Sequence, residues 1–146
     1  MPAAERALAK LRILDTLGLI LAAVDSPPGR VALEMAAQQG PTVAWTALAH
    51  ATIAHARDFD DTFPDSVVHP GSVVVPVALA VGEASAATGS EVMTAIVIGY
   101  EVAARLGGAA GRNLHARGFH ASGVIGPLAA AVTATKLYHQ IGRAHV

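Results

Sequence analysis

The sequence predicts an all-α fold, built as a bundle of helices. Apolar residues recur at three- and four-residue steps along most of the chain, and no segment of convincing length alternates apolar and polar residues as a half-buried strand would. Hydrophobic residues make up 53% of the 146 residues, yet aromatic residues make up only 4%. A core of small aliphatic side chains favours close packing between helices, and a chain of this length normally forms one domain.

The first half of the chain predicts three helices. Five leucines lie at steps of three or four residues near the N-terminus: Leu8, Leu11, Leu14, Leu17 and Leu21. This spacing predicts an amphipathic helix over about 3–24, which the Asp-Ser-Pro-Pro-Gly segment at 25–29 ends because proline cannot continue a helix. A second helix is predicted over about 30–39, before a Gly-Pro pair, and a third over about 42–57.

The second half predicts three further helices and two polar loops. The helices are predicted over about 72–87, 88–106 and 125–138, and the loops over 58–71 and 112–122. Ser72 is a candidate cap for the first of these helices, and Thr88-Gly-Ser-Glu91 has the spacing of a capping box. The glycine-rich segment 107–111 is expected to break the second helix. Because both loops adjoin helix ends, a bundle can bring them to one rim.

The composition argues against several classes of partner. The net charge is −1, the pI is about 6.6 and no Lys/Arg cluster occurs, so we expect no nucleic-acid partner. The longest uncharged runs, 66–82 and 121–135, are too short to span a membrane, and the N-terminus lacks the pattern of a signal peptide. We therefore predict a cytoplasmic protein that binds no membrane. The absence of cysteine excludes disulfides, a Cys nucleophile and a Cys-ligated iron–sulfur cluster.

The segment 55–71, which runs from the end of the third predicted helix to the start of the fourth, has the most unusual chemistry of the chain. It holds four of the eleven acidic residues, two histidines and a threonine: Asp58, Asp60, Asp61, Asp65, His55, His69 and Thr62. Carboxylates this close together repel one another when they are partly buried. Such crowding occurs in solvated loops and in functional sites that use the resulting pKa shifts.

Four kinds of site can be considered. The residues able to bind a metal are His55, Asp58, Asp60, Asp61, His69 and His120. The chain has no His-Glu-x-x-His motif and no adjacent His-Asp pair, so we predict no metal and no cofactor. The glycine-rich segments follow no strand, which argues against a phosphate-binding loop, and no Gly-x-Ser-x-Gly elbow indicates a serine nucleophile. The fourth kind is acid–base chemistry on a small carboxylate.

Acid–base chemistry needs a base, an acid and cations that bind the substrate's carboxylates. His69 and His120 are candidates for the base and the acid, because imidazole titrates near neutral pH. Arg117 and Arg112 are candidates for binding carboxylates, since guanidinium binds them with two parallel hydrogen bonds. The Arg-Gly-Phe-His loop is also compatible with an ordinary solvated turn, and both interpretations stay open.

Four segments form a more specific pattern. They are His55-Ala-Arg-Asp-Phe-Asp-Asp-Thr62, His69-Pro-Gly71, Gly99-Tyr-Glu-Val102 and Arg117-Gly-Phe-His120. In order and spacing they resemble the MmgE/PrpD family, which includes 2-methylcitrate dehydratase, cis-aconitate decarboxylase and iminodisuccinate epimerase. The resemblance covers roughly 11–138. It implies an all-helical main domain, a smaller lid domain formed by later sequence, homodimers, and metal-independent chemistry on small polycarboxylates.

Matched residue by residue, the resemblance implies that Asp58 and Thr62 lie in the substrate pocket. It implies that His69 and His120 are the two active-site histidines. Arg117, from the loop chemistry, completes the set of predicted substrate-binding residues.

The expected parent enzyme is a cofactor-independent lyase of the 2-methylcitrate dehydratase type. The alternatives are an epimerase, isomerase or decarboxylase that uses the same pocket, or a helical module that binds or oligomerises without catalysis. Residues 1–138 are expected to form an incomplete N-terminal helical domain without its lid, and 139–146 match nothing expected of the family. On its own, the chain is expected to be inactive.

Overall fold

The computed structural model describes residues 1–140, and within that range it shows seven helices and no strand. The helices are α1 (Ala3–Ala23), α2 (Pro27–Gln39), α3 (Val43–His55), α4 (Gly71–Ala84), α5 (Gly89–Ala110), α6 (Asn113–Ala116) and α7 (Ala121–Leu137). An isolated antiparallel bridge joins Phe63 to Val68. The all-α prediction is confirmed. Most of the predicted non-family tail, residues 141–146, lies outside the described residues.

Two hydroxyl caps determine where α2 and α5 begin. The Ser26 hydroxyl accepts the backbone N–H of Gly29 at 3.2 Å, so α2 begins at Pro27, three residues before its predicted start. Proline is well suited to this first turn, because its missing N–H would have no partner within the helix. At α5, the predicted capping box of Thr88 and Glu91 is present in both directions.

The glycine-rich segment 107–111 does not break α5 where the sequence predicts. The helix continues to Ala110 and ends at Gly111, whose φ of 55° is left-handed. Gly107 is buried against the side chain of Ser66, and a Cβ at Gly107 would collide with it. This glycine therefore allows the loop before α4 to pack closely on α5, and a helix tolerates it there.

Two further helices begin earlier than predicted, next to the two predicted active-site histidines. α4 begins at Gly71, and the Ser72 hydroxyl donates to the carbonyl of His69 at 3.3 Å instead of capping the helix. α7 begins at Ala121 because His120 is its N-cap residue. The histidines therefore lie at the starts of α4 and α7, and both rings are held by local hydrogen bonds.

The core of the bundle surrounds α4, which packs against α1, α3, α5 and α7. Val74, Val75 and Ala78 of α4 are completely buried. α5 and α7 pack against each other on one side of α4, and Gly99 lies against Thr133 at their crossing. Small side chains at these contacts allow the close helix packing that the composition predicts.

The leucine-rich face of α1 is exposed, contrary to the usual meaning of such spacing. Leu11, Leu14 and Leu21 are 60%, 68% and 77% exposed, whereas Ala9 and Thr16 are buried. The spacing predicts the helix correctly but indicates the wrong buried side. The smaller residues allow α1 to approach α3, α4 and α5.

By length and composition, α5 could cross a membrane, and among the described residues no other helix meets that criterion. Its buried residues include Ala95, Ile96 and Ala103, which belong to the core described above. The core helix of a globular protein passes the same test. The expectation that the chain binds no membrane remains a prediction.

Candidate active site

Three imidazole rings meet where α3 ends and where α4 and α7 begin. The ring centroids of His55 and His69 are 5.1 Å apart, and those of His55 and His120 are 5.6 Å apart. The rings of His69 and His120 are nearly parallel, with centroids 6.4 Å apart and planes at 11°. The predicted meeting of the two histidine-bearing loops at one rim is confirmed. His55 is an additional member that the spacing of the chain did not single out for acid–base chemistry.

A buried carboxylate lies between two of these rings. Asp60 has a side chain only 2% exposed, and its Oδ1 and Oδ2 are 3.0 and 2.9 Å from Nδ1 of His55. Its Oδ1 is also 3.8 Å from Nδ1 of His69. A buried carboxylate needs a proton donor or an opposite charge, and His55 Nδ1–H supplies the donor here. Asp60 therefore orients His55 and faces His69.

The surroundings of His69 determine which ring nitrogen holds its proton. Thr62 Oγ1 is 3.3 Å from Nδ1 of His69 and donates to the carbonyl of Asp60 at 3.4 Å. The Thr62 oxygen therefore acts as acceptor toward the ring, which favours a proton on Nδ1. Carboxylate oxygens of Asp60 and Asp58 lie at similar distances from Nδ1 and Nε2, 3.8 and 3.9 Å, and do not distinguish the two nitrogens. We assign the neutral ring as Nδ1-protonated, with the lone pair on Nε2.

The backbone of His69 is fixed by α7. Its N–H donates to the hydroxyl of Ser122 at 2.9 Å, across 53 residues of sequence. Ser122 is buried in the first turn of α7, one residue after the helix begins. This hydrogen bond couples the positions of the two histidine-bearing helix starts.

His120 has the opposite tautomer. Its Nδ1 accepts the backbone N–H of Gly123 at 3.3 Å, as an N-cap side chain does. In the neutral ring an accepting Nδ1 places the proton on Nε2. The ring is exposed and borders a cleft of about 420 Å³, whose lining also includes His55, Ser72 and Ser122.

Asp58 and Arg117, the two other predicted substrate-binding groups, occupy different surroundings. Asp58 is 82% exposed, and its Oδ1 lies 3.9 Å from Nε2 of His69. It has a left-handed φ of 56°, which Asp tolerates better than most residues and which often marks functional loops. Arg117 is exposed at the end of α6, and among the described residues no ion pair or side-chain hydrogen bond involves it. Its predicted role stays a prediction.

Asp61 has a structural role, because its carboxylate joins α1 to the start of α4. Its Oδ2 is 2.9 Å from Nη1 of Arg12 in α1, and its Oδ1 accepts the backbone N–H of Gly71 at 2.8 Å. The Arg12 guanidinium also lies over the ring of Tyr100, 5.6 Å from its centroid. Burial, with the Asp61 carboxylate nearby, raises the pKa of the Tyr100 hydroxyl above its usual range. This network attaches α1 to the start of α4, next to the histidines.

Comparison with known proteins agrees with the family resemblance. The family model of the MmgE/PrpD N-terminal domain matches residues 1–141. A cis-aconitate decarboxylase-like protein, oryM of Aspergillus oryzae, is 32% identical over 106 residues, which are 67% of this chain and 22% of that protein. The chain thus matches about a fifth of that relative's length. The chain belongs to the MmgE/PrpD family, through the N-terminal domain of that family.

Proposed function

We propose that this chain supplies the imidazole and carboxylate groups of a lyase active site that removes water from a small polycarboxylate. The observation that supports it most is the pairing of His69 and His120. Their rings lie 6.4 Å apart, and the tautomers that we assign from their hydrogen bonds are opposite, so that one ring presents a lone pair and the other a proton. A base and an acid of this kind are what an elimination requires.

His69 acts as the base in this proposal. Its Nε2 takes the proton from the carbon next to a substrate carboxylate, and the electron pair of that C–H bond forms the new double bond. The imidazolium that results is stabilised by Asp60, whose carboxylate faces Nδ1, and by the Thr62 hydroxyl, which accepts Nδ1–H. The Asp60 side chain is almost fully buried. A carboxylate removed from water attracts a neighbouring imidazolium more strongly.

His120 acts as the acid. Its Nε2–H protonates the hydroxyl on the neighbouring carbon as the C–O bond breaks, so that water leaves. One proton is taken by His69 and one is given by His120, and exchange with solvent restores both rings. In this proposal the substrate is bound so that each Nε2 comes within hydrogen-bonding distance, about 3 Å, of the atom whose proton it moves.

The substrate's carboxylates need cations to bind them. The cluster of His55, Asp58, Asp60 and His69 does not supply these cations. The cluster itself contains the carboxylates of Asp58 and Asp60, which repel an anionic substrate. Arg117, in the loop before His120, is our candidate for one cation. The curated relative is much longer than the matched region, so we propose that further cations come from sequence beyond this domain. In the same proposal, Asp58 and Thr62 orient the substrate's hydroxyl groups.

Two other reactions would use the same groups. An epimerase would take and return a proton without a leaving group, and a decarboxylase, as the name of the Aspergillus relative suggests for that protein, would lose CO₂. A helical module without catalysis remains an alternative, but it does not require the opposite tautomers or the proximity of His69 and His120.

A substrate panel on two proteins tests the proposal. One is the chain itself, and the other is a chimera in which residues 1–138 replace the matching region of the Aspergillus relative. Hydroxy-tricarboxylates are assayed for water loss, CO₂ loss and stereochemical inversion. We expect water loss by the chimera that falls 10²-fold or more in His69→Gln and in His120→Gln. CO₂ loss or inversion with the same histidine dependence would assign one of the alternative reactions. Equal rates in the variants and the parent chimera would contradict the site.

A further inference from the structure

Four side chains of the site are arranged so that a metal ion could lie among them. His55, Asp58, Asp60 and His69 each offer one ligand atom, and these four atoms lie within 4.8 Å of one another. The sequence predicts no metal site because no recognised spacing occurs. The separations along the chain are three, two and nine residues, and the loop before α4 brings the groups together.

We propose that His55, Asp58, Asp60 and His69 form a binding site for one Zn²⁺ ion. Zinc prefers four nitrogen, oxygen or sulfur ligands in a tetrahedron, with bonds of about 2.0–2.2 Å, which places neighbouring ligand atoms about 3.4 Å apart. Here, Asp60 Oδ2 is 2.9 Å from His55 Nδ1, and Asp58 Oδ1 is 3.9 Å from His69 Nε2. Both distances lie within about half an ångström of the tetrahedral value. The four ligand atoms lie within 4.8 Å of one another, so the most distant pair must approach by up to about 1.4 Å on binding the ion.

The hydrogen bonds around His69 already orient it as a ligand. A histidine that binds zinc through one nitrogen usually donates the other N–H to an oxygen, which fixes the tautomer and the ring direction. His69 Nδ1 faces Thr62 Oγ1 at 3.3 Å, and its Nε2 points toward the Asp58 carboxylate. The ring is therefore held in the tautomer that zinc binding through Nε2 requires.

Charge and access also fit a divalent cation. Asp58 and Asp60 provide two negative charges, which match the charge of Zn²⁺. The two imidazoles bind it as neutral ligands once the proton that His55 Nδ1 donates to Asp60 in the metal-free chain has moved to Nε2. Asp60 is buried, so the surrounding protein fixes its position. Asp58 is exposed, so an ion can reach the site from solvent on that side. An ion at this place occupies Nε2 of His69, so zinc binding and proton abstraction by His69 exclude each other.

Zinc titration of the whole 146-residue chain tests this proposal without any assay of activity, and it does not rest on the proposed function. Binding is measured by competition with a chromophoric chelator near pH 7.5. Co²⁺ is then substituted, because a tetrahedral site gives it intense visible absorption. The variants are His55→Gln and Asp58→Asn, each partly or largely exposed, with circular dichroism as the check of folding. His50→Gln is the matched control, since His50 lies on the same helix outside the cluster.

We expect one zinc ion per chain, with tetrahedral Co²⁺ absorption. Affinity should fall at least tenfold in His55→Gln and in Asp58→Asn, and it should be unchanged in His50→Gln. Thr62→Val should also weaken binding, because it removes the acceptor for His69 Nδ1–H. The proposal is overturned by the absence of stoichiometric binding, by equal effects of His50→Gln and His55→Gln, or by full binding in the double variant of His55 and Asp58.

Discussion

Asp60 Oδ2 lies 2.9 Å from Nδ1 of His55, and Asp60 is the buried member of this pair. The carboxylate is 2% exposed, whereas the histidine is 38% exposed and reaches the cleft beside His120. Asp60 thus keeps a buried negative charge close to two imidazoles without contacting solvent. The charge stabilises any imidazolium formed next to it, which is why we assign Asp60 a positioning role and leave proton transfer to His69.

Replacing Asp60 by Asn should reduce activity more than stability. The amide keeps the shape of the side chain but loses the charge that stabilises the His69 imidazolium, so we expect kcat of the chimera to fall by about 10²-fold. Asp65→Asn is the control, since Asp65 is exposed in the same loop. A similar loss of rate in both variants would argue against this role.

Gly71→Ala should destabilise the domain although Gly71 starts a helix. A Cβ at this position would lie 2.6 Å from Asp61 Oδ1 and 2.7 Å from the Tyr100 hydroxyl, so the network that attaches α1 to α4 must shift. We expect a loss of about 1–3 kcal/mol, as for other overpacked sites. Gly89→Ala is the control, because Gly89 starts α5 and nothing lies within 4 Å of its added Cβ. Urea unfolding of both variants measures the difference, and equal midpoints would contradict the account.

Tyr100→Phe should make the domain less sensitive to alkali. Burial raises the pKa of the folded Tyr100 hydroxyl, so between the unfolded pKa near 10 and the folded value only the unfolded chain loses this proton. Ionisation of Tyr100 then favours unfolding. Above pH 10, this group should lower the free energy of unfolding of the parent chain by up to about 1.4 kcal/mol per pH unit. Urea unfolding at pH 8 and at pH 11 tests this. Tyr138→Phe is a matched control, and equal alkaline losses in the parent and Tyr100→Phe would contradict the assignment.

Thr88→Ala should weaken the start of α5. The Thr88 hydroxyl accepts the N–H of Glu91 at 3.3 Å, and Glu91 Oε2 accepts the N–H of Thr88 at 2.8 Å. Loss of such a cap costs about 1 kcal/mol. The backbone N–H of Thr88 and then its hydroxyl, which both donate to the Glu91 carboxylate, lower the pKa of Glu91. The stability that these bonds contribute is present above the unfolded pKa and is lost as the pH falls through the folded value, and Thr88→Ala removes only the hydroxyl's part of it. Thermal unfolding at pH 7 and pH 3 checks both statements. Ser90→Ala is the control, and it should leave the pH dependence unchanged.

The helices and the capping box could be predicted from the sequence because their signals are local. Thr88 and Glu91 act within one turn, and the apolar periodicity identifies each long helix without knowledge of its neighbours. The buried side of α1 could not be predicted in this way. Leu14 and Ala9 are both apolar, and only the packing of α3, α4 and α5 decides that the alanine faces inward.

The active site could also be predicted only in part, because some of its contacts are local and others depend on the whole fold. His69 and His120 were identified by the family resemblance and by their positions at helix ends, and the structure brings them together. The pairing of His55 with Asp60 had no sequence signal, because the two residues are joined by a turn and not by a shared helix face. The hydrogen bond from His69 to Ser122 spans 53 residues and depends on the fold as a whole. These long-range contacts determine the tautomers, which no spacing rule describes.

The tautomers of His69 and His120 in the folded chain decide whether the two rings can act as a base and an acid. Long-range proton–nitrogen correlation spectra at pH 8 report which ring nitrogen holds the proton, and spectra of His69→Gln and His120→Gln assign the two rings. We predict Nδ1–H at His69 and Nε2–H at His120, which leaves a base and an acid on neighbouring rings. Nε2–H at His69, or the same tautomer in both rings, would contradict the proposed acid–base pair.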